Sequence, residues 1–263
     1  MDNRTACILN EATAEFYRRN AESFSATRHG AWAGWVRALD ALPESFFSAG
    51  SSASVLDIAC GNLRFQRFLR ERYPACNLHL YAVDSCAPLV GEYPAEVRLQ
   101  ELDILEALAQ GSLADAIEAP PCSLVACFGF LHHVPGAQNR MRLLRELAAK
   151  TAPGGYAIVS FWQFANSGEL LQKAHESHMR GLAALAPRGI DAAQLEEGDY
   201  LLGWQDTCDT FRYCHAFAPG EALELARQAG LANRVAASFE ADGRTGNLNA
   251  YLVIRGLHSV SQA

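Results

Sequence analysis

The sequence predicts a doubly wound α/β fold, a mostly parallel sheet with helices on both faces and a C-terminal antiparallel hairpin. Three observations predict it. Between residues 50 and 165, short apolar runs alternate with helix-like segments. Those runs are apolar on both faces, as strands covered by helices on both sides must be. The chain then closes with AASFEADGRTGNLNAYLVIRG, two extended runs around a glycine-rich turn, which reads as a hairpin at the sheet edge.

Taken in order, residues 7–40 carry helical spacing, with Ile8, Ala12 and Phe16 on one recurring face and Trp32, Trp35, Val36 and Leu39 on another. A turn at Gly50-Ser-Ser-Ala-Ser54 precedes the first strand, VLDIA at 55–59, followed by the helical NLRFQRFLRERY. The next strands are LHLYAVD at 78–84, VRLQELD at 97–103, SLVACF at 123–128 and YAIVSFW at 156–162; helical ILEALAQ follows the third run and AQNRMRLLRELAAK the fourth. Residues 163–205 break the rhythm, being polar and irregular, and read as an inserted lid. FRYCHAF is then a strand, and Pro219-Gly-Glu221 opens a helix with an acid in its first turn. The expected organisation is an N-terminal helical lid at 1–49 and a main domain at 50–263, with an inserted lid or substrate region at about 163–205.

Composition narrows the function classes. Of 263 residues, 50% are hydrophobic and 19% charged, an ordinary globular balance. The N-terminal residues lack a signal-peptide pattern, and no window reaches the roughly 18 apolar residues of a membrane span, so the chain reads as cytoplasmic. Eight cysteines are scattered along the chain, several within apolar runs, as reduced and mostly buried thiols would be. His175-Glu-Ser-His178 lacks the spacing of a zinc helix and no Cys-x-x-Cys occurs, so no metal is expected. A net charge of −7 repels polyanions at long range, leaving only a local basic patch to bind nucleic acid.

In open α/β sheets, ligands bind beyond the carboxyl ends of the strands where the strand order reverses. The loop after the first strand is Asp57-Ile-Ala-Cys-Gly-Asn-Leu63, in which Gly61 permits a tight turn and a close backbone approach. Asp84 ends the second strand at about the 20-residue offset of an acid that accepts ribose hydroxyls, and Asp103 ends the third strand in the same manner. Acids at three successive strand ends suit a nucleoside better than a pyrophosphate.

These motifs resemble the class I S-adenosylmethionine-dependent methyltransferases, which have a Rossmann-like fold. VLDIACGN resembles their first motif, LYAVD the second, QELDI the third, CFGFLHHV the fourth, and APGGYAIVSF the turn into the fifth strand. The resemblance implies that S-adenosylmethionine is bound by Asp57, Ala59, Gly61, Asn62, Asp84, Asp103, Ile104, Phe128 and His133. Tyr17, Arg28 and Trp32 would close over it as a helical lid, with Arg28 on the methionine carboxylate; the alternative is that these aromatics only dock helices on the sheet. Ala59 and Leu63 stand where the family usually carries glycine, and leucine is not expected at positive φ.

The flanks, FYRRNAESFSATRHGAWAGW and GDYLLGWQDTCDTFRYCHAFAPGE, are similar to those of the tRNA wobble-uridine carboxymethyl O-methyltransferases. This likeness implies O-methylation of a carboxylate or other oxygen on a modified tRNA nucleoside, with a small partner subunit supplying RNA contacts. Two alternatives stay open: a small-molecule acceptor, and a catalytically silent cofactor-binding protein. A carboxylate, with an ordinary pKa near 4, needs orientation rather than a base. Arg212, Tyr213, His215 and His132 are the candidates for that task. Strand alternation puts Tyr213 and His215 on one face and Arg212 on the other, so Arg212 is either a carboxylate clamp or a structural ion pair. His132 and His133 are adjacent and should diverge, so that at most one of them faces substrate and the other is a turn residue.

Overall fold

The computed structural model describes residues 1–28, 30–205 and 207–256, without the side chains of Thr207 and Cys208. The chain runs α1 (Asn3–Ser25), α2 (Ala33–Asp40), β1 (Ser52–Ile58), α3 (Arg64–Arg72), β2 (Asn77–Asp84), α4 (Ala87–Val90), β3 (Val97–Glu101), α5 (Ile104–Gln110) and α6 (Leu113–Ala116). It continues with β4 (Cys122–Cys127), α7 (Ala137–Ala149), β5 (Thr151–Trp162), α8 (Gly168–Leu185), β6 (Asp199–Trp204), β7 (Thr207–His215), α9 (Glu221–Gln228), β8 (Val235–Ala241) and β9 (Asn249–Arg255).

Among the described residues, seven strands form one sheet in the order β3-β2-β1-β4-β5-β9-β8. Strands β1 to β5 pair in parallel, whereas β9 runs antiparallel to both β5 and β8. Alternating side chains feed two cores. Leu56, Val125 and Val159 meet Leu144 of α7 and Leu225 of α9, while Val55, Leu124 and Ile158 meet Trp35 of α2 and Leu69 of α3. The strand order reverses between β1 and β4, which opens the ligand crevice at their carboxyl ends.

The irregular lid expected at 163–205 contains a regular helix. Ser167 caps α8 by accepting from the Leu170 N–H at 3.4 Å, and the helix runs for 18 residues. Its buried face is built largely from Ala174, Ser177 and Gly181, small residues that leave little apolar periodicity to read. At Gly181 a Cβ would stand 2.4 Å from that of Leu201, so glycine here lets the helix approach β6. FRYCHAF is a strand as expected, but it pairs with β6 in a separate two-stranded sheet.

The N-terminal helix is tied to that small sheet. Asp2 caps α1 through the Thr5 N–H at 2.9 Å, the Tyr213 N–H donates to Thr13 Oγ1 at 3.0 Å, and Asn20 Nδ2 donates to Thr210 Oγ1 at 3.1 Å. Leu9, Ala12, Leu201 and Phe211 pack into one apolar cluster. Both flanks of the sheet thus meet over its carboxyl edge. Every cysteine whose side chain is described is free, and among the described residues no helix is long and apolar enough to cross a membrane.

Candidate active site

The loop between β1 and α3 keeps a glycine-type backbone without its glycines. Ala59, Gly61 and Leu63 all stand at positive φ, 60°, 54° and 59°. The expectation that leucine would refuse this conformation is therefore overturned. Leu63 is only 1% exposed, and burial of its side chain offsets a backbone penalty of roughly 1–2 kcal/mol. The Cys60 N–H donates to the Val83 carbonyl at 3.1 Å. Asp84 accepts from the Gly61 N–H and the Cys86 N–H, each at 2.8 Å, so one carboxylate joins the ends of β1 and β2. Each of its oxygens keeps a further lone pair for a ligand hydroxyl. Burial raises its pKa, against the pull of those amides.

Asp57 is buried, accepts from Gln66 Nε2 at 2.9 Å, and is pushed up to about 7 by burial and then by the negative charge of Asp84. Asp103 caps α5, its Oδ1 accepting from the Glu106 N–H at 2.9 Å. Asn62 Nδ2 donates to Ser25 Oγ at 2.9 Å and to the Arg28 carbonyl at 3.2 Å, which fastens the loop to the end of α1. Asp57, Ala59, Gly61, Asn62, Asp84 and Asp103 line one cavity of about 1900 Å³, well above the 300–1,000 Å³ of an ordinary small-ligand pocket. A cavity of that size has room for a nucleoside cofactor and a second molecule beside it.

Across the cavity the chain supplies aromatic and cationic groups. His133 Nδ1 lies 2.7 Å from the Tyr213 carbonyl, which only accepts, so Nδ1 carries the proton and Nε2 accepts from the Tyr17 hydroxyl at 2.8 Å. Burial, with Arg212 nearby, lowers the His133 pKa to about 3, and burial lifts Tyr17 to about 12. The pair is therefore neutral and fixed at physiological pH. Arg212 is 6% exposed; its Nε and Nη1 have no partner, and its guanidinium stands over Phe16 at 4.5 Å, Phe24 at 5.5 Å and Trp204 at 5.8 Å. Among the described residues no acid pairs with it. Arg28 lies over the Phe24 ring at 3.4 Å, and burial lowers its pKa to about 10. Two guanidiniums with which no acid among the described residues pairs give this wall the charge and geometry that suit an anion.

The cavity brings together Tyr17, Arg28, Trp32, Asp57, Ala59, Gly61, Asn62, Asp84, Asp103, Ile104, Phe128, His132, His133 and Arg212. It does not include Tyr213 or His215, and both are corrected here. The Tyr213 hydroxyl donates to Asp199 at 2.6 Å and accepts from Arg140 at 3.0 Å, while His215 lies 2.8 Å from both Asp199 and Glu221. The strand alternation that separates them from Arg212 turns them into a buried structural network. A second correction concerns the adjacent histidines. Both line the cavity because Leu131–His133 form a tight 3-10 turn, which brings the two rings to 4.1 Å.

Sequence reasoning missed Phe24, Trp162 and Trp204 on the cavity wall, and also Asp242. Trp162 had a readable signal, since it ends β5 at the ligand-binding edge of the sheet. Asp242 had none: it accepts from the Gly34 N–H at 2.9 Å and from Tyr251 at 2.6 Å, contacts that only the fold creates. His132, His133 and Cys214 place potential ligand atoms within 4.8 Å of one another. Both His133 nitrogens are engaged, however, and the adjacent Arg212 charge opposes a cation.

A family model described as a methyltransferase domain matches residues 26–235. A tRNA (carboxymethyluridine(34)-5-O)-methyltransferase of Mus musculus is 30% identical over 149 residues, which cover 56% of this chain and 19% of that protein. The match to its Macaca fascicularis counterpart covers 21% of that protein, so the chain spans about a fifth of the length of these relatives. A putative methyltransferase of Encephalitozoon cuniculi (strain GB-M1) is 29% identical over 221 residues, 82% of this chain and 84% of that one. Solved structures share the fold. A SAM-dependent methyltransferase of Methanosarcina mazei superposes with a TM-score of 0.55 at 16% identity, covering 80% of this chain and 94% of that one. A chain from the complex of the Haloferax volcanii Trm112 methyltransferase activator with a putative methyltransferase gives 0.56 at 14% identity, covering 94% and 98%. With the family model spanning most of the chain and the strand-end acids, positive-φ loop and fold all in place, the chain belongs to the methyltransferase domain family and is a class I S-adenosylmethionine-dependent methyltransferase.

Proposed function

We propose that this enzyme methylates a carboxylate oxygen on a modified tRNA nucleoside. The observation that carries the reading is Arg212, a buried guanidinium on the cavity wall that no described acid neutralises. A carboxylate meets that need, and the similarity to the carboxymethyluridine methyltransferases supports a nucleoside as its bearer.

The cavity residues fit the cofactor. Asp84 would receive the ribose hydroxyls, Asp103 and Ile104 would flank the base, the Ala59–Asn62 loop would give close backbone contact, and Arg28 would take the amino-acid carboxylate. Tyr17, Trp32, Asp57, Phe128 and His133 would complete the surround. When bound, S-adenosylmethionine supplies a methyl group on a positively charged sulfur. Arg212 orients the acceptor carboxylate, whose ordinary pKa near 4 leaves it ionised at neutral pH. His132, driven well below its usual pKa by burial and then by His133 and Arg212, stays neutral and leaves the carboxylate unprotonated. The aromatic walls exclude water, which strengthens both the grip and the nucleophile.

Net charge −7 gives the chain little long-range attraction for RNA. A small partner subunit with a basic surface fits that deficit. The same acidity favours a second reading, a free small-molecule carboxylate as acceptor. The test is transfer of labelled methyl to small RNA and, separately, to a small-molecule extract. Label in RNA that mild alkali releases is the expected ester; label confined to the extract discards the tRNA reading.

A further inference from the structure

Trp162 ends β5 beside the switch point and is partly exposed on the cavity wall. Two aromatic neighbours hold its ring, Phe164 at 4.6 Å and His132 at 5.0 Å between centroids. Its backbone is fixed as well: the Phe217 N–H donates to the Trp162 carbonyl at 3.0 Å, and the next residue, Gln163, donates to the Leu248 carbonyl at 2.8 Å. The indole is thus a rigid surface, as a stacking face must be.

Beside it stands a second polar side chain with a nitrogen that no described residue pairs. His132 is 6% exposed, and its Nδ1 is buried with no hydrogen bond. A neutral imidazole offers one N–H donor and one nitrogen acceptor. This wall therefore presents an indole, an imidazole with an unpartnered nitrogen and a guanidinium with two unpartnered nitrogens among the described residues. An aliphatic carboxylate would satisfy Arg212 alone. A flat heterocycle would cover the indole and give His132 a hydrogen bond through its polar edge.

We propose that Trp162 is the platform on which the methyl acceptor stacks, and that the acceptor is a flat, hydrogen-bonding ring carrying the carboxylate taken by Arg212. The assignment rests on the carboxylate reading above. Base stacking on an aromatic side chain is sequence-tolerant, because every base has a π-face, so His132 and Arg212 carry the discrimination.

The test uses the full chain with saturating S-adenosylhomocysteine, the variants Trp162→Leu and Trp162→Phe, and two ligands, 5-carboxymethyluridine and hexanoate. Leucine keeps apolar volume without a π-face, and phenylalanine keeps the face; thermal melts verify that both fold. Binding is read from quenching of tryptophan fluorescence in the wild type and by calorimetry in all forms. The expected result is a dissociation constant for the nucleoside raised roughly 5- to 150-fold in Trp162→Leu, the range for losing one base stack, and a smaller rise in Trp162→Phe. Hexanoate affinity stays the same in both. Equal losses for the two ligands, an unchanged nucleoside affinity in Trp162→Leu, or no nucleoside binding by the wild type would each overturn the platform. Arg212→Met separates the two ideas. If it spares nucleoside affinity while Trp162→Leu does not, the carboxylate reading fails and the stacking surface stands.

Discussion

Arg212 shows how one residue can set the chemistry of a site. Aromatic faces at 4.5 to 5.8 Å surround its guanidinium in place of an acid, so the charge is kept for a ligand. Hydrogen bonds to charged groups contribute about 1.5–3 kcal/mol, and Arg212→Met is expected to lower kcat/KM on the carboxylate acceptor roughly 10- to 150-fold. A drop of less than threefold in steady-state assays would remove the clamp. Ala59 and Leu63 make a second residue-scale case. Both hold a left-handed backbone, but only Leu63 is compensated by full burial. Ala59→Gly is expected to stabilise the protein by about 1 kcal/mol, and Leu63→Gly to destabilise it by roughly 1–4 kcal/mol, both read from urea unfolding. Stabilisation by both substitutions would show that burial of Leu63 does not offset its backbone strain.

At the scale of elements, the N-terminal helices are fastened to the sheet at defined points. Gly34, in the first turn of α2, donates to Asp242, and a Cβ there would stand 2.1 Å from the Tyr251 ring. That ring cannot give way easily, because it is fully buried, stacked on Phe239 at 5.3 Å and held by Asp242. Gly34→Ala should therefore push α2 outward, with a loss of about 1–3 kcal/mol from overpacking. Trp32 stands at the N-terminal boundary of the same helix and lines the cavity, so cofactor affinity should fall in parallel. Calorimetry showing unchanged S-adenosylmethionine affinity would separate the helix from the site. The β7 strand gives the complementary lesson, in which alternate residues divide a buried scaffold, Tyr213 and His215, from a ligand group, Arg212.

At the scale of the whole molecule, Asp57 and His215 are buried groups whose own contributions to stability fall as pH rises. The folded pKa of Asp57 is raised from 3.8 to about 7, so its contribution is full below about pH 4 and is lost as pH rises through 7. On a scale of 1.36 kcal/mol per pKa unit, that loss is at most about 4 kcal/mol. Burial opposes charge on His215, but hydrogen bonds to Asp199 and Glu221 outweigh it and raise its pKa. That stabilisation is full below pH 6.5 and is lost as pH rises through the folded value. His132 and His133, whose pKa values burial lowers, act in the opposite sense below about pH 6.5, so the expected outcome is a difference from the wild type. The thermal midpoint of the ligand-free wild type relative to Asp57→Asn should fall between about pH 4 and 7, and relative to His215→Gln above pH 6.5; a pH-independent difference in both pairs would show that neither group carries the effect.

Much of this architecture can be read from the chain, because buried parallel strands must be apolar on both faces and ligand acids must stand at their ends. VLDIA, LYAVD and SLVACF carry that signal, and so do Asp84 and Asp103 and the edge hairpin. The α8 helix was not legible, because its buried face uses Ala174, Ser177 and Gly181 and so lacks an apolar stripe. Strand alternation along β7 separates Arg212 from Tyr213 and His215 in the sequence itself. Which face meets the cavity was decided by the pairing of β6 with β7 and the docking of α1 along them. The tight turn that presents His132 and His133 together, the glycine-like backbone at Ala59 and Leu63, and the place of Trp162 beside His132 likewise arise from contacts between distant segments. Local pattern determines which residues are buried and where strands end; only long-range packing determines which polar groups are left without a partner, and those are the groups available to a ligand.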